Sequence, residues 1–404
     1  MRKFVQLYSE IGKLNTVILH RPGTELEQLI PPYLEYMLSE DTPYVRIAAA
    51  EHDAFAQLLL NKGTNVLYLS NLFRETIENQ IIREAFIEDY LQVSRVASES
   101  LKKVIREYLQ TKTPAQFVET IMRGVMKRDL IGIKANSLPL VVQEDYPFYT
   151  DPLCGIYFTR DIGVCIGNGM IVSSMSMPFR QRETLLVRYI WKYHPLFRQE
   201  ATPLWYDYNL GYSIEGGDVH VLSDKVLAIG YSERTSLGAI EAVAGNVLKS
   251  GYEKILLFNL PKSRRYMHLD VLFTMVDYNK FLVTPPMAEG QFDVYEITMD
   301  RQGELRTTRC TGSVKETLQY ALKLDEVIFI PVGAGDVIHA PREHWNMGSN
   351  VLTIAPGEVI AYDRNEVTNE QLDKNGVQVH TFSGAELSRG RGGPRCMSMP
   401  INRD

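Results

Sequence analysis

Short apolar runs stand at both ends of this chain, and a stretch with helical spacing lies between them. Leu14-Asn15-Thr16-Val17-Ile18-Leu19-His20 predicts a strand, ended by the turn residues Arg21-Pro22-Gly23-Thr24. Ala48 to Asn61 predicts a helix with Phe55, Leu58 and Leu59 on one face, and Asn65 to Leu69 predicts a second strand. From about residue 72 the pattern changes. Leu101, Val104, Ile105, Tyr108 and Leu109 recur at helical spacing, as do Phe117, Val118, Ile121, Met122 and Val125. Thr113-Pro114-Ala115-Gln116 has the makings of a helix start, with a cap, a proline at the first position and a glutamine to close a capping box. These helices are expected to pack on one another.

Beyond residue 150 strands and helices alternate. Val219–Leu222, Val226–Ile229, Ile255–Phe258 and Val327–Ile330 predict strands; Arg182–Tyr193 and Ser236–Leu248 predict helices. The pattern implies an α/β body, residues 1–71 and 149–404, interrupted by an all-α module at 72–148. No Gly-x-Gly-x-x-Gly follows a strand and no Walker-type Gly-Lys-Ser/Thr is present, so the usual nucleotide cradles are absent.

Composition narrows the function classes. The chain has 404 residues, 45% hydrophobic and 23% charged, an ordinary globular balance with length enough for one large hydrophobic core or two domains. Its net charge of -6 argues against a nucleic-acid partner, which calls for a basic face. No apolar run reaches the roughly 18 residues of a membrane span. The basic start Met1-Arg2-Lys3 is not followed by the apolar stretch of a signal peptide. Four cysteines without a Cys-x-x-Cys pair favour reduced thiols, no structural zinc and a cytoplasmic setting.

The candidate chemistry lies in separated segments. Cys396 follows Arg395 and stands a few residues after Arg391, behind Gly392-Gly393-Pro394. Nearby cations favour the nucleophilic thiolate. Phe158-Thr159-Arg160-Asp161, Glu215-Gly216-Gly217-Asp218 and Met267-His268-Leu269-Asp270 supply acids and a histidine. His268 and Asp270, two apart, would share a face if extended. Arg180 and Arg234 stand in polar stretches. Taken singly, each segment has a plainer explanation: an inert buried thiol, a surface ion pair, a turn, a hydrogen-bonded core histidine. Together they fit attack on a guanidinium carbon. Carboxylates can grip its fork of N–H donors, a thiolate can add to the carbon, and a histidine can protonate departing ammonia and then activate water.

These segments, with Tyr8–Leu14, His20–Gly23, Glu51–Phe55, Arg180–Thr184, Ser232–Thr235, Asn346–Asn350 and Arg391–Pro400, occur in the order found in arginine deiminases. The chain resembles that family, within the guanidine-modifying superfamily, over essentially its whole length. The resemblance implies a five-bladed α/β propeller of ββαβ units with an inserted helical bundle. It implies hydrolysis of L-arginine to L-citrulline and ammonia through a covalent amidino-cysteine, with no metal or cofactor, in a homo-oligomer of two or more chains. Cys396 resembles the nucleophile, His268 the acid/base, and Asp161 and Asp270 the guanidinium grip. Glu215 resembles the carboxylate that orients His268 and touches the substrate. Arg180 and Arg234 resemble the clamp on the substrate carboxylate, Arg391 the gating arginine and Phe158 a wall on the aliphatic part.

Two places depart from the family. Cys154-Gly155 stands where Pro-Asn is usual, and Ser39 where an aromatic residue is usual. Gly155 removes a side chain that in relatives binds the amino-acid end, which implies weaker arginine binding or a wider range of guanidino substrates. Other readings stay open at this point. One is an amidinotransferase or a hydrolase of another guanidino compound. Another is a protein that binds arginine without turning it over.

Overall fold

The computed structural model describes residues 4–96, 98–133, 138–142, 145–198 and 202–404. Met1–Lys3 and parts of the 72–148 stretch lie outside them. The opening apolar run forms the strand Leu14–Leu19, almost wholly buried. Its two neighbours come from opposite ends of the chain. Met399–Arg403 pairs with it antiparallel, and Asn65–Tyr68 pairs parallel after the helix Val45–Asn61. A parallel partner needs such a crossover, because a tight turn can only reverse the chain.

The same connection recurs. Gly163–Ile166 and Gly169–Val172 form an antiparallel pair, followed by helix Glu183–Tyr193 and the parallel strand Leu204–Tyr206. Val219–Val221, Val226–Tyr231, helix Leu237–Val247 and Lys254–Asn259 repeat it. So do Leu352–Ala355, Glu358–Tyr362, helix Glu366–Lys374 and Gln378–Phe382. Phe273–Met275, Lys280–Val283 and Ile328–Pro331 follow the same order, but their crossover is longer. It carries the hairpin Asp293–Met299/Leu305–Arg309, which extends the preceding sheet to five strands. The protein is thus a mixed α/β fold whose first strand is tied to its last.

Between the strands Asn65–Tyr68 and Phe148–Thr150 run the helices Leu69–Ile77, Gln80–Val93, Glu99–Gln110 and Pro114–Arg123. The capping box at Thr113 and Gln116 forms as its residues predict. Leu101, Val104, Ile105 and Leu109 are buried, again as predicted. Two local details differ. Leu69, read as strand, is the first residue of a helix, which its buried side chain anchors. Val125, read as a helical face, lies in the two-residue strand Val125–Met126, paired with Phe148–Thr150. A strand that short has no periodicity to detect. The helices pack on one another and also on the α/β body. Phe86 meets Phe73 and Phe117 within the helices, and Tyr189 of Glu183–Tyr193 outside them.

Candidate active site

Five separated segments converge on one cavity. Cys396, His268, Asp161, Arg180, Arg234, Arg391, Phe158 and Gly155 all line it. Glu215 and Asp270 are absent from that lining and fully buried, Glu215 against His268 and Asp270 against Cys396. Ser39 and Cys154, the other departures from the family pattern, also reach the cavity wall.

Cys396 is held by its own backbone. Its N–H donates to Asn350 Oδ1 at 3.0 Å, and its carbonyl accepts from the N–H of Arg160 at 3.0 Å. The Sγ lies 3.6 Å from Asp270 Oδ2. Asp270 in turn accepts from Arg395 Nη1 at 2.9 Å, and Arg395 also reaches Glu10 at 3.2 Å. Arg395 was expected to favour the thiolate of its neighbour. It is engaged by the two carboxylates instead, and the balance around the thiol is acidic. Burial first, then Asp270 and Asp161, push the Cys396 thiol well above its usual pKa, outweighing Arg395.

His268 Nε2 lies 2.8 Å from Glu215 Oε2, and its Nδ1 lies 3.8 Å from Asp161 Oδ1. The residues after it form a single helical turn, Leu269–Val271, rather than a strand. That turn is pinned by Asp218, which accepts from Leu269 N at 2.9 Å and Ser232 Oγ at 2.6 Å. Gly217 leaves room for the imidazole, since a Cβ there would sit 2.5 Å from His268 Nδ1. Burial works against a charged His268, but Asp161 and Glu215 prevail and lift its pKa from 6.5 to about 9. Glu215 moves the other way: burial raises it, Arg234 and His268 lower it further, and it falls to about 2.

The raised histidine sets a stability window. Its contribution to folding is fully present below the ordinary value of 6.5 and is lost as pH climbs through about 9. The unfolding free energy of His268→Asn, read from denaturant melts, should therefore trail wild type near neutrality by on the order of 3 kcal/mol, and the gap should narrow by about pH 10. A gap that stays constant from pH 6 to 10 would contradict this.

The arginines are placed less simply. Arg180 Nη1 donates to Asp161 Oδ2 at 2.7 Å, and Arg234 Nη1 lies 3.7 Å from Glu215. Arg391 has φ 63° and stacks over the Trp345 ring at 3.6 Å. Burial brings its pKa down to about 10. The start of its loop is anchored by Glu51 of the helix Val45–Asn61, whose Oε2 accepts from the backbone N–H of Glu386 and Leu387, both at 3.0 Å. The loop also closes on the aromatic wall, where a Cβ at Gly392 would meet Phe158 Cε1 at 2.0 Å.

Sequence reasoning assigned no role to Glu10, Glu183, Asn350 or Trp345. Glu10, Glu183 and Asn350 sit inside the motif segments Tyr8–Leu14, Arg180–Thr184 and Asn346–Asn350; Trp345 carries no signal before the fold is known. Asp161, Glu215 and His268 place ligand atoms within 4.8 Å of one another, a spacing a cation could use. Asp161 Oδ1 and Asp270 Oδ1 are buried with no hydrogen-bond partner, two acceptors suited to a donor-rich ligand.

The arginine deiminase family profile matches residues 35–403. The chain belongs to the arginine deiminase family. It is 44% identical over 405 residues to an arginine deiminase of Staphylococcus epidermidis, covering 99% of this chain and 98% of that one. An arginine deiminase of Bacillus thuringiensis subsp. konkukian is 43% identical, covering 100% and 99%. Among solved structures, an amidinotransferase of Microseira wollei shares the fold at TM-score 0.55 and 16% identity, covering 99% and 97%. A dimethylarginine dimethylaminohydrolase of Pseudomonas aeruginosa does so at 0.54 and 14%, covering 96% and 99%. Among the described residues no helix is long and apolar enough to cross a membrane.

Proposed function

We propose that this chain hydrolyses L-arginine to L-citrulline and ammonia. The observation that carries the reading is a buried thiol 3.6 Å from one carboxylate, in a cavity shared with a histidine–glutamate pair at 2.8 Å. Asp161 and Asp270 grip the guanidinium nitrogens, each offering a buried oxygen with no partner, and Asp161 becomes a two-oxygen grip once Arg180 leaves its Oδ2. That cation offsets the acidic surroundings of Cys396, so that its thiol gives its proton to solvent and becomes the thiolate. The thiolate adds to the guanidinium carbon, and a C–N bond then breaks. Ammonia departs with a proton from His268, which Glu215 holds protonated and oriented. An amidino-thioether remains on Cys396. A water that gives its proton to His268 attacks the same carbon, the C–S bond breaks, and citrulline leaves. Phe158 lies along the aliphatic stem, Arg180 and Arg234 receive the carboxylate, and Arg391 closes the entrance from its place on Trp345.

The clamp of two arginines favours substrates with a carboxylate, and family membership favours hydrolysis over amidino transfer. The five repeated ββαβ connections support a propeller of five blades, with residues 72–148 as an inserted helical bundle. A homo-oligomer of two or more chains in the cytoplasm completes the reading, with no nucleic-acid or membrane partner.

The test is citrulline formation from L-arginine by purified protein between pH 5 and 8, with and without prior treatment with a metal chelator. Turnover unchanged by the chelator is expected. Turnover lost to the chelator and restored by a divalent cation would favour a metal on Asp161, Glu215 and His268. No turnover from folded protein would overturn the proposal.

A further inference from the structure

Arg180 holds the carboxylate that the substrate must reach. Its Nη1 donates to Asp161 Oδ2 at 2.7 Å, its Nε to Glu183 Oε2 at 2.9 Å and its Nη2 to the carbonyl of Gly155 at 2.9 Å. Glu183 completes the socket by accepting from the N–H of Gly155 at 3.1 Å. The side chains of all three charged residues are buried, at 7% exposure for Arg180, 5% for Asp161 and 0% for Glu183. A guanidinium already rests on Asp161, and it belongs to the protein.

Gly155 is what permits this placement. A Cβ at 155 would lie 2.5 Å from Arg180 Nε, 2.9 Å from its Cζ and 2.8 Å from Glu183 Oε1. Any side chain there must push the Arg180 guanidinium out of its socket. The Asn usual in the family could not coexist with Arg180 in this position.

We propose that Gly155 and Glu183 form a latch that holds Arg180 on Asp161, so that the substrate's carboxylate is needed to open the guanidinium site. The inference rests on the reading of this cavity as a guanidino-substrate site. When a substrate guanidinium replaces Arg180 on Asp161, the ion pair there is exchanged rather than lost. Displaced from Asp161, Arg180 keeps at most Glu183 and still requires a second anion, because a buried cation that loses part of its pairing is strongly disfavoured. L-Arginine supplies that anion at its other end. Agmatine, the same molecule without the carboxylate, does not. The latch adds to discrimination by withholding Asp161 from ligands that cannot draw Arg180 away. Gly155 and Glu183 are positioning residues in this scheme, acting through Arg180.

The experiment compares the KM for L-arginine with the inhibition constant of agmatine, both read from citrulline formation. In Gly155→Ala the latch cannot close, and the ratio of agmatine inhibition constant to arginine KM should fall by about tenfold, mainly through tighter agmatine binding. Alanine offers no hydrogen bond, so a fall there separates the latch from simple loss of the family's Asn contact. A fall seen with Gly155→Asn but not with Gly155→Ala would overturn the proposal. Glu183→Gln, which loosens the socket without filling it, should move the ratio the same way; should Gly155→Ala fail to fold, this variant decides. Wild-type turnover with an unchanged ratio in a folded, active variant overturns the latch alone. A folded wild type that makes no citrulline overturns the underlying reading and the latch with it.

Discussion

Cys396→Ser should abolish citrulline formation, by at least about a thousandfold, while L-arginine still binds. The hydroxyl can occupy the place of the thiol 3.6 Å from Asp270 Oδ2. It cannot become an anion there, since burial and two aspartates already push the more acidic thiol upward. The bound guanidinium can tip a thiol but not an alcohol. Initial rates measure the loss, and calorimetric titration with L-arginine checks that the cavity is intact. Turnover within tenfold of wild type would exclude the amidino-thioether.

Asp270→Asn should lose turnover on a comparable scale and yet make the thiol more reactive. Asp270 has two opposed effects at Cys396. It offers an oxygen to the guanidinium, and, after burial, it is the largest influence raising the thiol's pKa. Removing its charge weakens the grip on the substrate and at the same time lowers the thiol's pKa. The rate of alkylation by iodoacetamide near pH 8 should therefore rise while citrulline formation falls. The substitution also weakens the hold on Arg395, a fully buried cation that keeps Glu10 and the carbonyl of Val219. A loss of up to about 3 kcal/mol in stability is expected, and a thermal scan measures it. Alkylation that slows in step with turnover would show that Asp270 instead supports the thiolate.

Periodicity alone located the helices that carry Leu101, Val104, Ile105 and Leu109, and the capping box at Thr113, because those signals lie within one element. It misread Leu69 and Val125, where an element changes within a residue or lasts only two. The ordered motifs likewise picked out Cys396, His268, Asp161 and the arginines, all of which reach one cavity. Glu215 and Asp270 proved to be fully buried and absent from its lining.

What sequence by itself determined was an inventory: which acids, thiol, histidine and arginines are available, and which local segments carry them. Tertiary structure decided how those charges pair. Arg395 is bonded to Cys396's neighbour in space, Asp270, rather than to its neighbour in the chain. Arg180 rests on Asp161 because Gly155 leaves space and Glu183 supplies the second anion. The physical reason is the distance over which each effect acts. Helix and strand preferences are set by residues a few positions apart. The protonation of a buried group depends on every charge within a few ångströms, and here those charges come from loops up to 385 positions apart, as Glu10 and Arg395 are.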